Sequence, residues 1–341
     1  MVMAARDRGS GRLRVGACLS LSGRYARFGS QAAWALQVWA ELDGDAEVVI
    51  EDDRSDRETL QALLPKVAAG CDVLLGPYST QLARAAGKMA VAAGWLVWNH
   101  GGSGDDVQAA CPGHVVSLLT PASRYAERFI RDVVDGTRLE LRIVPGRGSF
   151  GRQVADGAQK IADQTGVYTR RLSCDDVWSC AQGPWALVSA GTFEDDVATV
   201  NRARRLPDPP RIFSVAAGVY EFAGKVDDPE GIYGAGQWVP GSGTQAELGP
   251  PQDAYLAAYA GVTDQPVEYP GVQAAAAAVI AAHCARRAGS TVRGQLWAQV
   301  AALDTATLFG GFRIDPVTGA QVKPKFLQAD WSTRLTRWQS P

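Results

Sequence analysis

Short apolar segments alternate with amphipathic segments along nearly the whole chain of 341 residues, and this alternation limits the fold more than any other feature. Strands such as Asp72-Val-Leu-Leu-Gly76 are apolar throughout, which is typical of a parallel sheet covered by helices on both faces. Ser55 and Glu58 have the spacing of a capping box at a helix start. The first third is predicted to contain strands at 12–21, 47–53, 72–78 and 95–100, with helices at 29–42, 57–69 and 79–93.

The alternation starts again after a predicted strand at 114–119. The second series comprises helices at 123–135, 150–165 and 193–206 and strands at 139–145, 168–173, 185–190, 211–217 and 231–238. Helical sequence then returns at 249–303, which indicates that the chain crosses back to the first unit. We therefore expect an α/β protein of two doubly wound parallel-sheet lobes joined by three crossings. The first lobe would comprise 1–119 plus 239–312, and the second 120–238 plus 313–341.

Charge and hydropathy disfavour two kinds of partner. With 34 basic and 36 acidic residues, the net charge of -2 gives no electrostatic reason to bind nucleic acid or an anionic membrane. The longest apolar run, Val272–Cys284, is mostly alanine and is shorter than the roughly 20 residues that cross a bilayer. It predicts a buried helix, so we expect no direct membrane insertion.

Cysteine and histidine usage gives no support for a metal site. The six cysteines form no CxxC pair, and the chain has three histidines. The first apolar run, Leu13–Leu21, is already the first predicted strand, and no export signal precedes it. We therefore expect a cytoplasmic protein with free thiols. The alternative is an extracytoplasmic protein whose start codon is mis-called, in which Cys174 and Cys180 could form a disulfide.

No catalytic constellation emerges, because the sequence has no GxSxG, HExxH or Walker A motif. A GxGxxG motif, Gly146–Gly151, follows a predicted strand and opens a helix, which is the context of a dinucleotide fingerprint. An NAD(P)-dependent enzyme is therefore one alternative. Arg170 and Arg171 stand where the ribose-binding acidic residue would be expected, so we predict no cofactor and no catalytic residue.

Three turns after predicted strands of the first lobe are rich in small and polar residues. In open α/β sheets, ligands bind at the carboxyl ends of the strands, where helix starts present N–H groups to an anion. These turns are Leu21–Gly29, Gly76–Thr80 and Asn99–Gly104.

These turns resemble those of the bacterial leucine/isoleucine/valine-binding protein family, which has the type I periplasmic binding fold and also includes a cytoplasmic amide-sensing regulator. Val15–Gly29, reading Val-Gly-Ala-Cys-Leu-Ser-Leu-Ser-Gly-Arg-Tyr-Ala-Arg-Phe-Gly, is similar to the family's opening strand and loop. The resemblance extends over nearly the whole chain. It includes Leu74–Ser79, Ser149–Gly151, Gly231–Trp238 and Leu308–Gly319.

The resemblance implies a ligand site between the lobes. Ser79, Thr80 and the turn Gly101, Gly102 and Ser103 would hold the ligand's polar or carboxylate end. The remaining implied contacts are Tyr25, Phe28, Tyr78, His100, Phe150, Phe193, Ala217 and Trp238. Amino-acid binders of the family carry an acidic residue after the strand that corresponds to 211–217, but here the segment reads Ala216-Ala-Gly-Val-Tyr220. Amides and small organic acids therefore remain open beside amino acids.

The expected function is non-enzymatic: two lobes close on one small molecule, as in the substrate-binding component of an ABC transporter, whose partner is a permease. The alternative is a cytoplasmic ligand sensor that signals occupancy to a regulatory protein.

Overall fold

A computed structural model describes residues 11–108, 110–173, 183–241, 245–322 and 335–338, which form two compact units. Unit 1 contains 11–119 and 238–322, and unit 2 contains 120–237 and 335–338. The predicted lobe boundaries differ from these units at two places, because Trp238 and residues 313–322 lie in unit 1 and not in unit 2. A hydrogen bond from Ser117 N to Gly319 O, at 2.9 Å, ties the latter segment to the unit 1 sheet. Cys174 and Cys180 lie outside the described residues.

The first segment of unit 1 alternates strands and helices as the sequence predicts. Its five strands are parallel, in the order β2-β1-β3-β4-β5. The chain leaves β1 toward β2 on one side and reaches β3 on the other, so the winding direction changes between β1 and β3. The elements are β1 (Leu13–Leu19), α1 (Ala26–Asp43), β2 (Ala46–Asp52), α2 (Arg57–Gly70), β3 (Val73–Leu75), α3 (Thr80–Ala93), β4 (Val97–Asn99), α4 (Asp105–Gln108) and β5 (Val115–Ser117).

Unit 2 has the same alternation of strands and helices, but its first predicted helix is not continuous. The predicted helix at 123–135 is divided into a 3₁₀ turn (Ala122–Arg124), a short α5 (Glu127–Phe129) and a π-helical stretch (Ile130–Val134), which closes with a bond from Asp135 N to Ile130 O at 2.7 Å. The elements that follow are β6 (Glu140–Pro145), α6 (Ser149–Thr165), β7 (Thr169–Arg171), β8 (Trp185–Ala190), α7 (Phe193–Arg204), β9 (Arg211–Ser214), 3₁₀ turns at Ala216–Gly218 and Tyr220–Lys225, and β10 (Tyr233–Ala235).

The returning segment adds helices to unit 1 and ends at the unit 2 sheet. It contains α8 (Gln252–Val262), α9 (Tyr269–Ala288), α10 (Arg293–Ala301), the hairpin β11 (Thr305–Thr307) and β12 (Gly310–Phe312), and β13 (Leu335–Arg337). β13 pairs antiparallel with β10, which gives the order β13-β10-β9-β8-β6-β7. The predicted fold class, two parallel-sheet α/β lobes, is confirmed.

The alanine-rich run predicted as a buried helix forms the middle of α9. Every residue from Tyr269 to Ala282 is buried, and small side chains allow α9 to pack closely on α1. Within the described ranges, no helix is both long and apolar enough to cross a membrane.

The predicted capping box at α2 is wrong in its detail. The helix is capped by Asp56, whose Oδ2 accepts from Thr59 N at 2.8 Å. Ser55 instead donates its hydroxyl to Ser22 O at 2.7 Å, because its backbone turns into the left-handed region at φ 58°.

Gln31 joins three helical segments of unit 1. This buried side chain of α1 accepts from Tyr259 Oη at 2.8 Å, and its Nε2 donates to Glu268 Oε2 at 3.1 Å and to Pro266 O at 3.3 Å. The amide thereby fixes α1 against α8 and the start of α9.

Gln31→Leu should lower the free energy of unfolding by about 2 kcal/mol, because the buried Tyr259 hydroxyl would lose its acceptor. Urea denaturation measures the change. Gln37→Leu is the matched control, since Gln37 is exposed on the same helix and, among the described residues, bonds to Glu41 one turn away and to no other. Equal effects of the two substitutions would contradict this account.

Candidate functional site

Three aromatic side chains meet where the winding direction of unit 1 changes, between the carboxyl ends of β1 and β3. The rings of Phe28 and Tyr78 are stacked, with centroids 4.3 Å apart and planes 13° apart. Tyr25 lies beside them, with its centroid 6.1 Å from that of Tyr78. All three are partly exposed. We refer to Tyr25, Phe28 and Tyr78 as the aromatic trio, and it occupies the position at which open α/β sheets bind ligands.

The turn after β4 packs directly onto the turn after β3. A Cβ on Gly101 would lie 2.6 Å from Tyr78 Cα, so only glycine allows this approach. Ser79 N donates to Gly101 O at 2.9 Å, and Gly104 N donates to Thr80 Oγ1 at 3.1 Å. The two predicted polar turns therefore form one connected structure.

Asn99 holds the second of these turns from inside. Its Oδ1 accepts from Gly101 N at 3.3 Å and Gly102 N at 2.8 Å, while its Nδ2 donates to Gly102 O at 2.9 Å and to Ser117 Oγ at 3.0 Å. The expectation that the N–H groups of Gly101 and Gly102 hold a ligand's polar end needs correction. Both groups are already engaged within unit 1.

Ser79 is held in a conformation that is rare for a side-chain-bearing residue. Its φ is 86°, which is left-handed backbone of the kind found at functional sites. Its hydroxyl caps α3 by accepting from Leu82 N at 3.3 Å. The hydroxyl hydrogen remains able to donate, because a serine hydroxyl both donates and accepts. Ser79 is 9% exposed, at the start of a 14-residue helix whose amino end favours negative charge.

Two arginines that were not among the predicted contacts accompany the aromatic trio. The Arg24 guanidinium lies 4.5 Å from the centroid of the Tyr25 ring and donates to Gln81 Oε1 at 3.0 Å. The Arg27 guanidinium lies 5.7 Å from the centroid of Phe28. The signal was present in the sequence, since both arginines lie next to Tyr25 and Phe28 in the segment 24–28. Both bring positive charge to this edge of unit 1.

His100 lies beneath the edge and has no exposed surface. Among the described residues neither ring nitrogen makes a hydrogen bond of ordinary geometry, and the backbone of Gly76 interacts with the ring only weakly. Burial lowers the pKa of His100 from 6.5 to about 4. The ring is therefore neutral at pH 7 and packs as part of the unit 1 interior.

Unit 2 places the GxGxxG turn at its own change of winding direction, between β6 and β8. Gly146 N donates to Ala190 O at 2.8 Å, and a Cβ on Gly151 would lie 2.2 Å from the same oxygen. Gly148 precedes α6 with φ 91°. Close packing and backbone conformation thus account for all three glycines. Phe150 is partly exposed on this turn and meets Tyr125 edge-on, with centroids 5.5 Å apart.

Asp196 organises the neighbouring turns of unit 2. Burial raises the pKa of its carboxyl, and hydrogen bonds oppose that effect. Oδ1 accepts from Ser189 Oγ and Gly191 N, both at 2.7 Å, and Oδ2 accepts from Ser214 Oγ at 2.9 Å and Ala216 N at 3.0 Å. Its acceptor positions are filled from within unit 2.

The other predicted contacts are more deeply placed. Ala217 is fully buried, and its carbonyl accepts from Trp338 Nε1 at 3.0 Å. Phe193 packs against the unit 2 core. Trp238 is 3% exposed in unit 1 and donates its Nε1–H to Leu308 O at 3.1 Å.

Solved structures resemble this chain over most of its length. The leucine-binding protein LivK from Thermotoga maritima gives a TM-score of 0.76 at 13% identity, covering 91% of this chain and 93% of that one. LivJ from Streptococcus pneumoniae, a branched-chain amino acid transporter substrate binding protein solved with isoleucine, gives 0.72 at 14% identity, covering 89% and 92%. An ABC transporter solute binding protein from R. palustris, solved with benzoate, gives 0.71 at 18% identity, covering 92% and 91%.

These likenesses show the fold. The chain has the type I periplasmic binding fold, as the sequence resemblance implied. All three similar structures are described as binding proteins, and the one solved with benzoate is described as the solute binding protein of an ABC transporter. No protein-family model matches the sequence. No curated protein matches it either.

His100 should make unit 1 sensitive to acid. Because its pKa is lower in the folded state than in the unfolded chain, the unfolded chain binds more protons as pH falls from 6.5 toward 4, and stability is lost over that interval. The expected loss is on the order of 3 kcal/mol. The free energy of unfolding of unit 1, obtained from amide hydrogen exchange in urea, should be compared at pH 7.5 and pH 4.5.

His100→Leu should remove that component of the pH dependence and fold normally, because the ring makes no hydrogen bond of ordinary geometry. A pH profile that is identical in the variant and the wild type would disprove the assignment.

Proposed function

We propose that this protein is a non-enzymatic solute-binding protein, the substrate-binding component of an ABC transporter, with a permease as its partner. The proposal rests on the unit 1 edge, where Phe28 stacks on Tyr78 and the Ser79 hydroxyl caps α3. Arg24 lies against Tyr25 and bonds to Gln81 of α3, and Arg27 lies against Phe28. The ligand in this proposal is a small carboxylate with an apolar body.

The chemistry of the edge supports a carboxylate. Arg24 and Arg27 supply positive charge, and the amino end of α3 adds the positive end of a helix dipole. Ser79 can donate its hydroxyl hydrogen to a carboxylate oxygen. The rings of Phe28 and Tyr78 offer a flat apolar surface against which a ligand body can pack.

Unit 2 supplies the second surface in this proposal. Phe150 is partly exposed on the turn after β6, at the corresponding winding change. The solved complexes of similar fold contain isoleucine and benzoate, so both amino acids and aromatic acids are bound by proteins of this architecture. Ligand-dependent closure of the two units follows from the proposal, because each unit would make part of the contact.

The ammonium group of an amino acid would require an acceptor in unit 2. Asp196 lies beneath the turn that follows β9, but four protein donors fill its two oxygens. The segment itself reads Ala216-Ala-Gly-Val-Tyr220 and contains no acidic residue. The proposal therefore favours small organic acids over free amino acids.

A thermal-shift screen of the dialysed protein tests the ligand class. Benzoate and 4-hydroxybenzoate should raise the melting temperature more than isoleucine, and benzamide should have little effect because it lacks the charge. A ligand at about 100 times its Kd adds roughly 2.7 kcal/mol to the native state, a readily measured shift. Stabilisation by NAD(H) without any response to carboxylates would support the enzyme alternative instead.

Ser79→Ala should weaken binding of the best ligand about fivefold, which corresponds to about 1 kcal/mol for one hydroxyl hydrogen bond. Titration calorimetry measures the Kd, and unligated melting curves report any loss of the α3 cap. Ser290→Ala is the control, because Ser290 follows the far end of α9 and its Oγ accepts only from Val292 N. An unchanged Kd in Ser79→Ala would show that the Ser79 hydroxyl does not contact the ligand.

A further inference from the structure

Unit 1 contains a cavity at the end of the sheet opposite the proposed ligand edge. We refer to it as the second cavity, because the edge is the first candidate site. Its volume is about 600 Å³, within the range of small-molecule sites. It lies where the carboxyl-terminal ends of α1 and α9 meet the loop at 248–250. Phe28 and Asp43 stand at opposite ends of α1, roughly 20 Å apart along the helix axis. The cavity is thus distinct from the edge that carries the aromatic trio.

The floor of the cavity is apolar. Trp39 and Leu42 from α1 and Val279 from α9 line it, with Leu248 and Pro250 from the loop. Leu42 is 40% exposed, a high value for leucine, while Trp39 and Val279 are buried at the base. The cavity therefore offers a hydrophobic surface to a ligand body.

The rim of the cavity is cationic. Val279, His283 and Arg287 are spaced four residues apart on α9, so they share one face of the helix, and all three line the cavity. Arg287 has no ion pair or hydrogen bond among the described residues, and neither has His283. Burial lowers the pKa of His283, and the charges of Arg287 and then Arg286 lower it further.

The walls of the cavity are held in place by hydrogen bonds within unit 1. Arg286 forms two hydrogen bonds with the Asp43 carboxylate, one of them 2.8 Å from Nη1 to Oδ2, and this pair joins α9 to α1. On the opposite side, Glu247 N and Leu248 N donate to Ala306 O at 2.8 and 3.0 Å. Gly249 follows with φ 85°, and a Cβ there would lie 2.9 Å from both methyl carbons of Val279. Little ordering is needed before a ligand binds.

We propose that this cavity is a second binding site, for a carboxylate with a short aliphatic or aromatic body. The body would pack on Trp39, Leu42 and Val279, and the carboxylate would accept hydrogen bonds from Arg287 and from protonated His283. Arg286 is committed to Asp43, so Arg287 is the guanidinium available to the ligand. A basic residue in the last turn also suits the helix dipole, but that role alone would not require an apolar cavity beside it.

Binding in this cavity should strengthen as pH falls. A bound carboxylate favours the charged imidazole, so it raises the pKa of His283, and by linkage protonated His283 raises the affinity. The other charged groups around the ring are Arg286 and Arg287 on α9 and Asp43 on α1, with Asp45 acting on Arg286. Glu247 on the loop bonds to Ala306 N at 3.2 Å, on the β11 side.

His283 provides a local readout, because the chain has only three histidines and its imidazole signal can be assigned by His283→Gln. In NMR titrations, hexanoate should raise the pKa of His283, and uncharged hexanamide should not. Hexanoate should bind at least tenfold more tightly than acetate, since four more methylene groups are buried. Absence of a His283 response to hexanoate, or an equal response to hexanamide, would overturn the proposal.

Three variants complete the test. Arg287→Gln should weaken hexanoate binding about tenfold and raise the pKa of His283 in the free protein. Lys66→Gln, an equal charge change at an exposed position of α2, should leave the Kd unchanged. Ser79→Ala should leave the His283 response intact even if the proposed function is correct. An unaltered Kd in Arg287→Gln, or a His283 response that is lost in Ser79→Ala, would refute the second site.

Discussion

A single buried polar side chain holds together the turns at the carboxyl edge of each sheet, and the rest of the edge depends on it. In unit 1, Asn99 accepts from two backbone N–H groups and donates to a carbonyl and a hydroxyl. In unit 2, Asp196 accepts from two backbone N–H groups and two hydroxyls. Unsatisfied buried donors cost about 1–3 kcal/mol each, so these turns have few alternative arrangements. A side-chain amide therefore fixes the turns of unit 1, and a carboxylate fixes those of unit 2.

This constraint explains how a ligand edge can be built from short loops. With Asn99 fixing the turn after β4, Gly101 can approach Tyr78 closely, and Tyr78 is then positioned to stack on Phe28. The left-handed backbone of Ser79 is maintained by the same contacts, through its bond to Gly101 O. In the proposed function, the aromatic surface and the hydroxyl donor are therefore in place before a ligand binds, which would reduce the entropy lost on binding.

Helix α1 carries residues of both proposed sites, one at each end of the helix. Its first turn holds Phe28 in the aromatic trio, and its last turns hold Trp39 and Leu42 in the second cavity. The helix is anchored along its length by α9 and by the Gln31 amide. Both surfaces therefore belong to one rigid body, and each can be altered by substitutions that leave the other in place.

The sequence by itself determined the order of strands and helices, because buried parallel strands and amphipathic helices leave distinct periodicities in the chain. It also located Tyr25, Phe28, Tyr78 and Ser79 on turns that follow strands, since the position of a turn is a local property. Tertiary structure alone decided which polar groups are free. The N–H groups of Gly101 and Gly102 donate to Asn99 Oδ1, and the buried Trp238 donates to Leu308 O. The second cavity is built from residues about 240 positions apart, Trp39 and Leu42 with Val279 and Arg287. No local pattern can reveal such a site, because burial and hydrogen-bond partners depend on packing between distant segments.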